Sequence, residues 1–259
     1  MKYYYLYTGA NNGRYNMEYD IHLSKICKPD EFYLRLYRWN PFCISLGKNQ
    51  KYEYINIKKA ADNKIDIVKR PTGGRAILHS EELTYSVITY AKVQKSPHHF
   101  YNEINKALKA GLLFYNDKLS EIELETEQPD FPKIYNENKE NMCFATTAKS
   151  EIKFEGKKLV GSAQRKLGNY FLQHGSILCG SYHKTLINYL NLSNENYLDI
   201  CNKINNVTID LESILQEKIN FIKLKKSIKK GFENHFSDLF TEVSLNFSNE
   251  ELKEIFQVL

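Results

Sequence analysis

The chain has 259 residues, of which 42% are hydrophobic and 26% charged. That composition suits one large globular domain, or one domain with a small appendage, and supplies enough apolar surface for a sizeable core. The net charge of +5 is too mild to argue for nucleic acid and favours an acidic protein partner, while the lack of an 18-residue apolar run excludes a transmembrane helix.

Residues 2–8 read as a first strand, and their aromatic, alternating character is unlike a signal peptide, so a cytoplasmic location is expected. Residues 16–28 read as a helix with Asn16 as its N-cap. Residues 32–39 alternate as a strand that turns at Asn40-Pro41, and residues 43–47 form a short buried strand. Trp39 and Cys43 read as core. Residues 54–63 read as a helix. The run Ile65-Asp66-Ile67-Val68 breaks at Pro71-Thr72-Gly73-Gly74 and resumes as β-branched and aromatic residues, the pattern of a hairpin with a glycine loop. Residues 97–115 place Phe100, Ile104, Leu108, Leu112 and Phe114 at helical spacing. Residues 121–127 alternate as a strand with one acidic face, and a polar loop over 128–141 leads to Cys143-Phe144. Residues 151–165 read as a hairpin turning at Glu155-Gly156, and residues 170–178 as a further strand. Beyond Ser181 the chain reads as helical. Residues 211–237 carry the basic run Lys223-Leu224-Lys225-Lys226-Ser227-Ile228-Lys229-Lys230, a solvated helix face or a surface for an acidic protein. Ser248 with Glu251 forms a capping box for a last helix. This order predicts an α/β (α+β) fold, a mixed sheet with packed helices, over residues 1–210, with 211–259 a helical extension of the same unit.

Two stretches carry candidate chemistry. Gly73 and Gly74 let a backbone approach a ligand, and Arg70 and Arg75 suit a carboxylate, phosphate or carbonyl. A plain turn between two solvated arginines fits the same residues. The five cysteines form no C-x-x-C pair, so neither a disulfide framework nor a zinc knuckle is suggested. Cys143 follows a polar loop, where functional side chains gather, although a lone cysteine also serves as a small buried hydrophobe. Lys158 stands just past the next hairpin turn, and a cation there lowers a thiol pKa.

The wording Arg70-Pro71-Thr72-Gly73-Gly74-Arg75-Ala76-Ile77-Leu78-His79, followed by Glu82-Leu83-Thr84-Tyr85-Ser86-Val87, resembles the lipoate-binding loop of the lipoate ligase and octanoyltransferase superfamily. It is most similar to the cysteine-dependent octanoyltransferases of the LipM type. Asn16-Met17, Leu36-Tyr37-x-Trp39-x-Pro41, Ser45-Leu46-Gly47-Lys48-Asn49-Gln50 and Gly156-Lys157-Lys158-Leu159-Val160-Gly161-Ser162-Ala163-Gln164 extend the resemblance, which closes on Gln173-His174-Gly175-Ser176-Ile177. Thr147-Ala148 and Ser150 stand where relatives often carry Pro-Ser and Tyr, and Ser80 replaces the usual Asp.

The resemblance implies the fold shared with biotin–protein ligases and class II aminoacyl-tRNA synthetases. It implies octanoyl transfer from octanoyl-acyl carrier protein, through a thioester on Cys143, to a lysine of a lipoyl-accepting protein, most often the glycine-cleavage H protein. Lys158 would tune the thiol. Arg70, Thr72, Gly73, Gly74, Arg75, His79, Gly161, Ser162, Ala163, His174 and Gly175 would bind the acyl group. No cofactor, metal, nucleic acid or membrane partner is implied. His79 and His174 are candidate bases and equally candidate structural histidines. The alternatives are an ATP-dependent lipoate–protein ligase, which usually carries a glycine at the place of Arg75, and a non-catalytic lipoyl- or acyl-binding protein.

Overall fold

The computed structural model describes residues 1–124, 152–191 and 206–247. In chain order the strands are β1 (Lys2–Asn11), β2 (Glu31–Trp39), β3 (Cys43–Leu46), β4 (Asp66–Lys69), β5 (Ile77–His79), β6 (Glu82–Tyr90), β7 (Glu123–Leu124), β8 (Ile152–Phe154), β9 (Lys157–Leu167), β10 (Tyr170–Leu178) and β11 (Thr241–Glu242). The helices are α1 (Gly13–Ile26), α2 (Ile57–Asp62), α3 (Pro97–Tyr115), α4 (Leu211–Leu215) and α5 (Phe221–Phe236). Among the described residues the strands form a mixed sheet in the order β11-β1-β2-β6-β10-β9-β8-β7 and a second sheet in the order β4-β3-β5. The expected mixed α/β architecture is therefore present.

Alternation along β2 assigns the two faces of the large sheet. Leu34 and Leu36 pack with Phe100, Ile104 and Leu108 of α3 and with Leu224, Ile228 and Phe232 of α5. Tyr33 points the other way, into a cluster with Tyr19 and Leu23 of α1. Arg35 shares that face and is fully buried. Its guanidinium donates to Asp20 Oδ1 at 2.7 Å and Asn16 Oδ1 at 2.8 Å, and lies over the rings of Tyr19 and Tyr37. Burial alone would raise the Asp20 carboxyl, but Arg35, then His174 and Ser86, hold it below the usual range.

Several local expectations are corrected. The N-cap of α1 is Asn12, whose side chain accepts from the Tyr15 amide; Asn16 lies one turn inside, buried to hold Arg35. The segments flanking the glycine loop are not a hairpin. β4 and β5 do not pair with each other but flank β3, one parallel and one antiparallel, because β3 supplies a buried apolar strand for both to join. The helix expected over 54–63 is a 3-10 turn, Tyr52–Tyr54, and the short α2 capped by Asn56. Phe114 stands 40% exposed, off the buried stripe of α3. Only Glu123–Leu124 of the expected acidic strand is strand within the described residues. Residues 181–189 are 3-10 helix, and the stretch 211–237 is two helices, because the left-handed Gln216 ends α4. The capping box at Ser248 lies outside the described residues.

The hairpin of β8 and β9 turns where expected, with Glu155 and Gly156 both at positive φ, as a two-residue turn requires. Its register slips by one residue at Leu159, so Leu159 and Val160 are both buried. Such a bulge re-aims the side chain beside it, which here is Lys158.

Candidate active site

A cavity of about 230 Å³ opens between the two sheets. Its wall is mostly apolar: Met17 from α1, Tyr37 and Trp39 from β2, Ile77 and Leu78 from β5, Leu178 from β10, Leu186 from the 3-10 segment and Val207. Arg70, Gly74, Arg75, His79, Lys158, Gly161, Ser162, Ala163, His174 and Gly175 also line it, so most of the residues singled out in the sequence meet at one place. Thr72 and Gly73 are not in the lining. Thr72 is buried behind it, with Oγ1 2.7 Å from His174 Nε2. Gly73 is exposed, and a methyl group there would meet open space.

The glycine loop is held by its own carbonyls. Arg70 donates to the Gly73 carbonyl at 2.9 Å, the Arg75 carbonyl at 2.6 Å and the Ser45 carbonyl at 2.9 Å. Arg165 donates to the Pro71 carbonyl at 2.6 Å, and the Lys48 amide to that of Thr72 at 2.9 Å. Arg70 therefore shapes the loop with the donors that the sequence offered to a ligand. Gly74 sits at φ +93, where a side chain is strained and would also strike the Arg70 guanidinium. Gly47 is bare because the Gly74 carbonyl passes over its face.

Lys158 is placed by three features. The bulge turns it, the Ile209 amide donates to its carbonyl at 2.9 Å, and its side chain crosses Gly161, where a methyl group would lie 2.5 Å from Cε. Gly175 is bare for a similar reason, since the Gly161 carbonyl and the Tyr85 ring crowd it across the strands. Ser162 accepts a hydrogen bond from the Tyr85 hydroxyl.

The two histidines are engaged at both ring nitrogens. His79 lies between Glu82 Oε1, 2.9 Å from Nδ1, and Ser45 Oγ, 2.7 Å from Nε2, with its ring stacked on Trp39. A carboxylate only accepts, so Nδ1 carries a proton, and the Ser45 hydroxyl beside Nε2 also accepts from Arg70. Burial would raise Glu82, but His79, Thr84 and Ser176 hold it below the usual carboxylate range. His174 has Thr72 on one side and Asp20 at 3.7 Å on the other, and burial pushes its pKa down. His183 also lines the cavity, between the Gly180 carbonyl and Thr208 Oγ1, each at 3.0 Å, and burial lowers it too.

Sequence reasoning missed His183, Leu186, Val207 and Thr208. No motif marks them: His183 and Leu186 reach the site on the 3-10 segment packed with β3 and β5, and Thr208 by pairing with Lys158 of β9. Cys143 lies outside the described residues. The described cysteines, Cys27, Cys43 and Cys179, are all buried, and burial pushes every one of these thiols up, Cys27 to about 12. None is a thiolate at neutral pH.

The lysines of the basic run lie on α5, which packs through α3 on the face of the large sheet opposite α1 and Met17. Lys225 and Lys230 rest over the rings of Tyr7 and Phe114. No helix among the described residues is long and apolar enough to cross a membrane.

Known proteins resemble this chain in sequence and in fold. The lipoyl protein ligase A/B catalytic domain matches residues 12–233. A protein of Clostridioides difficile named octanoyltransferase LipM is 33% identical over 230 residues, 86% of this chain and 83% of that protein. The octanoyltransferase LipM of Staphylococcus aureus is 29% identical over 235 residues, covering 88% and 85%. Among solved structures, a bipartite lipoate protein ligase from Thermoplasma acidophilum superposes with a TM-score of 0.78 at 17% identity, covering 100% of this chain and 93% of that one. A lipoate-protein ligase A bound with ATP gives 0.75 at 18% identity, covering 100% and 95%. At those identities the superpositions speak for the fold, and the family match speaks for descent: the chain belongs to the lipoyl protein ligase A/B catalytic domain family.

Proposed function

We propose that this chain is an octanoyltransferase of lipoate biosynthesis working through a cysteine thioester. The observation that carries the reading is the apolar cavity with Lys158 at its rim. Its mostly apolar lining suits a hydrocarbon chain. The relatives named octanoyltransferase LipM support octanoyl as the acyl group.

In this reading the Cys143 thiolate attacks the thioester carbonyl of octanoyl-acyl carrier protein. The carrier thiolate leaves and takes up a proton, and octanoyl stays on Cys143 with its chain in the cavity. The neutral amine of an acceptor lysine, on a lipoyl domain or glycine-cleavage H protein, then attacks that thioester. An amide forms, the proton lost by the amine nitrogen passes to solvent, and the Cys143 thiolate is released. Lys158 raises the thiolate fraction and donates to the carbonyl oxygen as negative charge builds there. Burial takes Cys27, Cys43 and Cys179 out of competition; Cys201, like Cys143, lies outside the described residues, and the family resemblance favours Cys143.

Intact mass after incubation with octanoyl-acyl carrier protein tests this directly. One octanoyl adduct is expected, mapping to Cys143 by peptide mass, absent in Cys143→Ala and formed without ATP or magnesium. Strict ATP dependence with free octanoate would favour the ligase reading, and no adduct or transfer at all would favour a non-catalytic binder.

A further inference from the structure

The cavity has a rim and a floor. Lys158, Arg75, Ala163, Val207 and Thr208 are half-buried, whereas Met17, Tyr37 and Trp39 are at most 4% exposed. Leu78, Thr84 and Ser176 in the lining are as deeply buried, but Met17, Tyr37 and Trp39 share one apolar cluster with Cys43 and Val68. An acyl chain whose carbonyl sits by Lys158 would reach these three side chains by following that apolar path. Two of them are pinned. The Tyr37 hydroxyl donates to Asp20 Oδ2 at 3.3 Å beneath the Arg35 guanidinium. Trp39 donates from Nε1 to Thr84 Oγ1 at 2.7 Å and stacks on His79 at 4.1 Å. Met17 carries no hydrogen-bonding anchor of that kind. It is an unbranched side chain that adapts its shape to its surroundings, and it packs with Cys43 and Val68, both buried, in the same small cluster. Shortening Met17 thus extends the apolar space towards Cys43 and Val68, and enlarging it fills the deep end.

We infer that Met17 sets the length of acyl chain that the cavity accepts. The inference rests on the reading of the cavity as an acyl site, and it does not depend on the identity of the nucleophile. Each methylene buried against an apolar wall tightens binding by roughly fourfold, until the chain end meets the floor and the gain stops or reverses.

Trp39 is the single tryptophan of the chain and lines the cavity, so its fluorescence reports occupancy without any need for turnover. The probes are sodium hexanoate, octanoate, decanoate and dodecanoate, titrated into the full chain. Affinity in the unaltered protein is expected to climb to octanoate and then fall. In Met17→Ala the optimum moves to decanoate, which binds roughly 15-fold tighter than octanoate. In Met17→Phe it retreats to hexanoate, and in Met17→Leu it stays. Leu186→Ala, in the side wall, weakens all four acids without moving the optimum. Melting curves confirm that each variant is folded, and Met17→Val answers the same question if Met17→Ala is not. An optimum that stays at octanoate in both Met17→Ala and Met17→Phe overturns the inference, as does an equal shift in Leu186→Ala. If no acid changes the fluorescence of the unaltered chain, the acyl reading of the cavity itself falls, and this inference with it.

Discussion

Lys158 and Gly161 work as a pair at the scale of single residues. The lysine stem crosses the bare face of the glycine, so the position of the ammonium depends on a missing methyl group three residues away. Gly161→Ala is expected to push the ammonium aside and slow acyl-enzyme formation by about 10- to 100-fold, since misplacement by an ångström costs that much. The melting temperature should barely change, because the displaced atoms are the far end of a flexible side chain. A normal rate in Gly161→Ala would show that the lysine tip has no set place. Lys158→Ala should shift the pH profile of Cys143 alkylation upwards, towards the free-thiol value of about 8.5. An unmoved profile would leave the lysine a role in substrate binding alone.

The helices α3 and α5 approach backbone to backbone. A methyl group on Gly231 would lie 2.4 Å from Gly111 Cα, and one on Gly111 would lie 2.7 Å from Ile228 Cα. Both obstacles are backbone, so neither can turn away. Gly231→Ala must separate the helices and should cost about 1–3 kcal/mol in urea unfolding. Gly73→Ala, whose methyl group meets open space at a negative φ, should cost less than about 0.5 kcal/mol. Equal losses would mean that the helix contact is looser than its geometry. The same comparison separates the two loop glycines: Gly74 needs its positive φ, and Gly73 does not.

Across the whole molecule the buried charges predict a two-stage loss of stability in acid. His174 and His183 are held neutral by burial, so the unfolded chain binds their protons more readily. Stability should therefore fall as pH drops below about 6.5, the ordinary histidine value, and level off once pH passes their lowered folded values. Asp20 and Glu82 are depressed, so their contribution is complete above about 4 and is lost only in stronger acid. Melting temperatures measured across this range should show both stages, and His174→Asn should flatten the first. A melting temperature independent of pH between about 7 and 5 would sink the histidine part of this account. The strands β1, β2, β6, β8, β9 and β10 of the large sheet, the turn at Glu155-Gly156 and the helix over residues 97–115 were legible in the sequence, because periodicity and turn residues act over a few neighbours, whereas the edge strand β11 was not. The quoted motifs likewise marked Lys158, Arg75 and His174 before any contact was known. Tertiary structure decided the rest. It split the apparent glycine hairpin around β3, because a strand's partner is chosen by burial and register rather than by proximity in sequence. It also turned Arg70 inward, made Met17 a floor and brought Val207 and Thr208 beside Lys158, because a cavity wall is assembled from elements that share no local pattern and meet only when both sheets have closed over it.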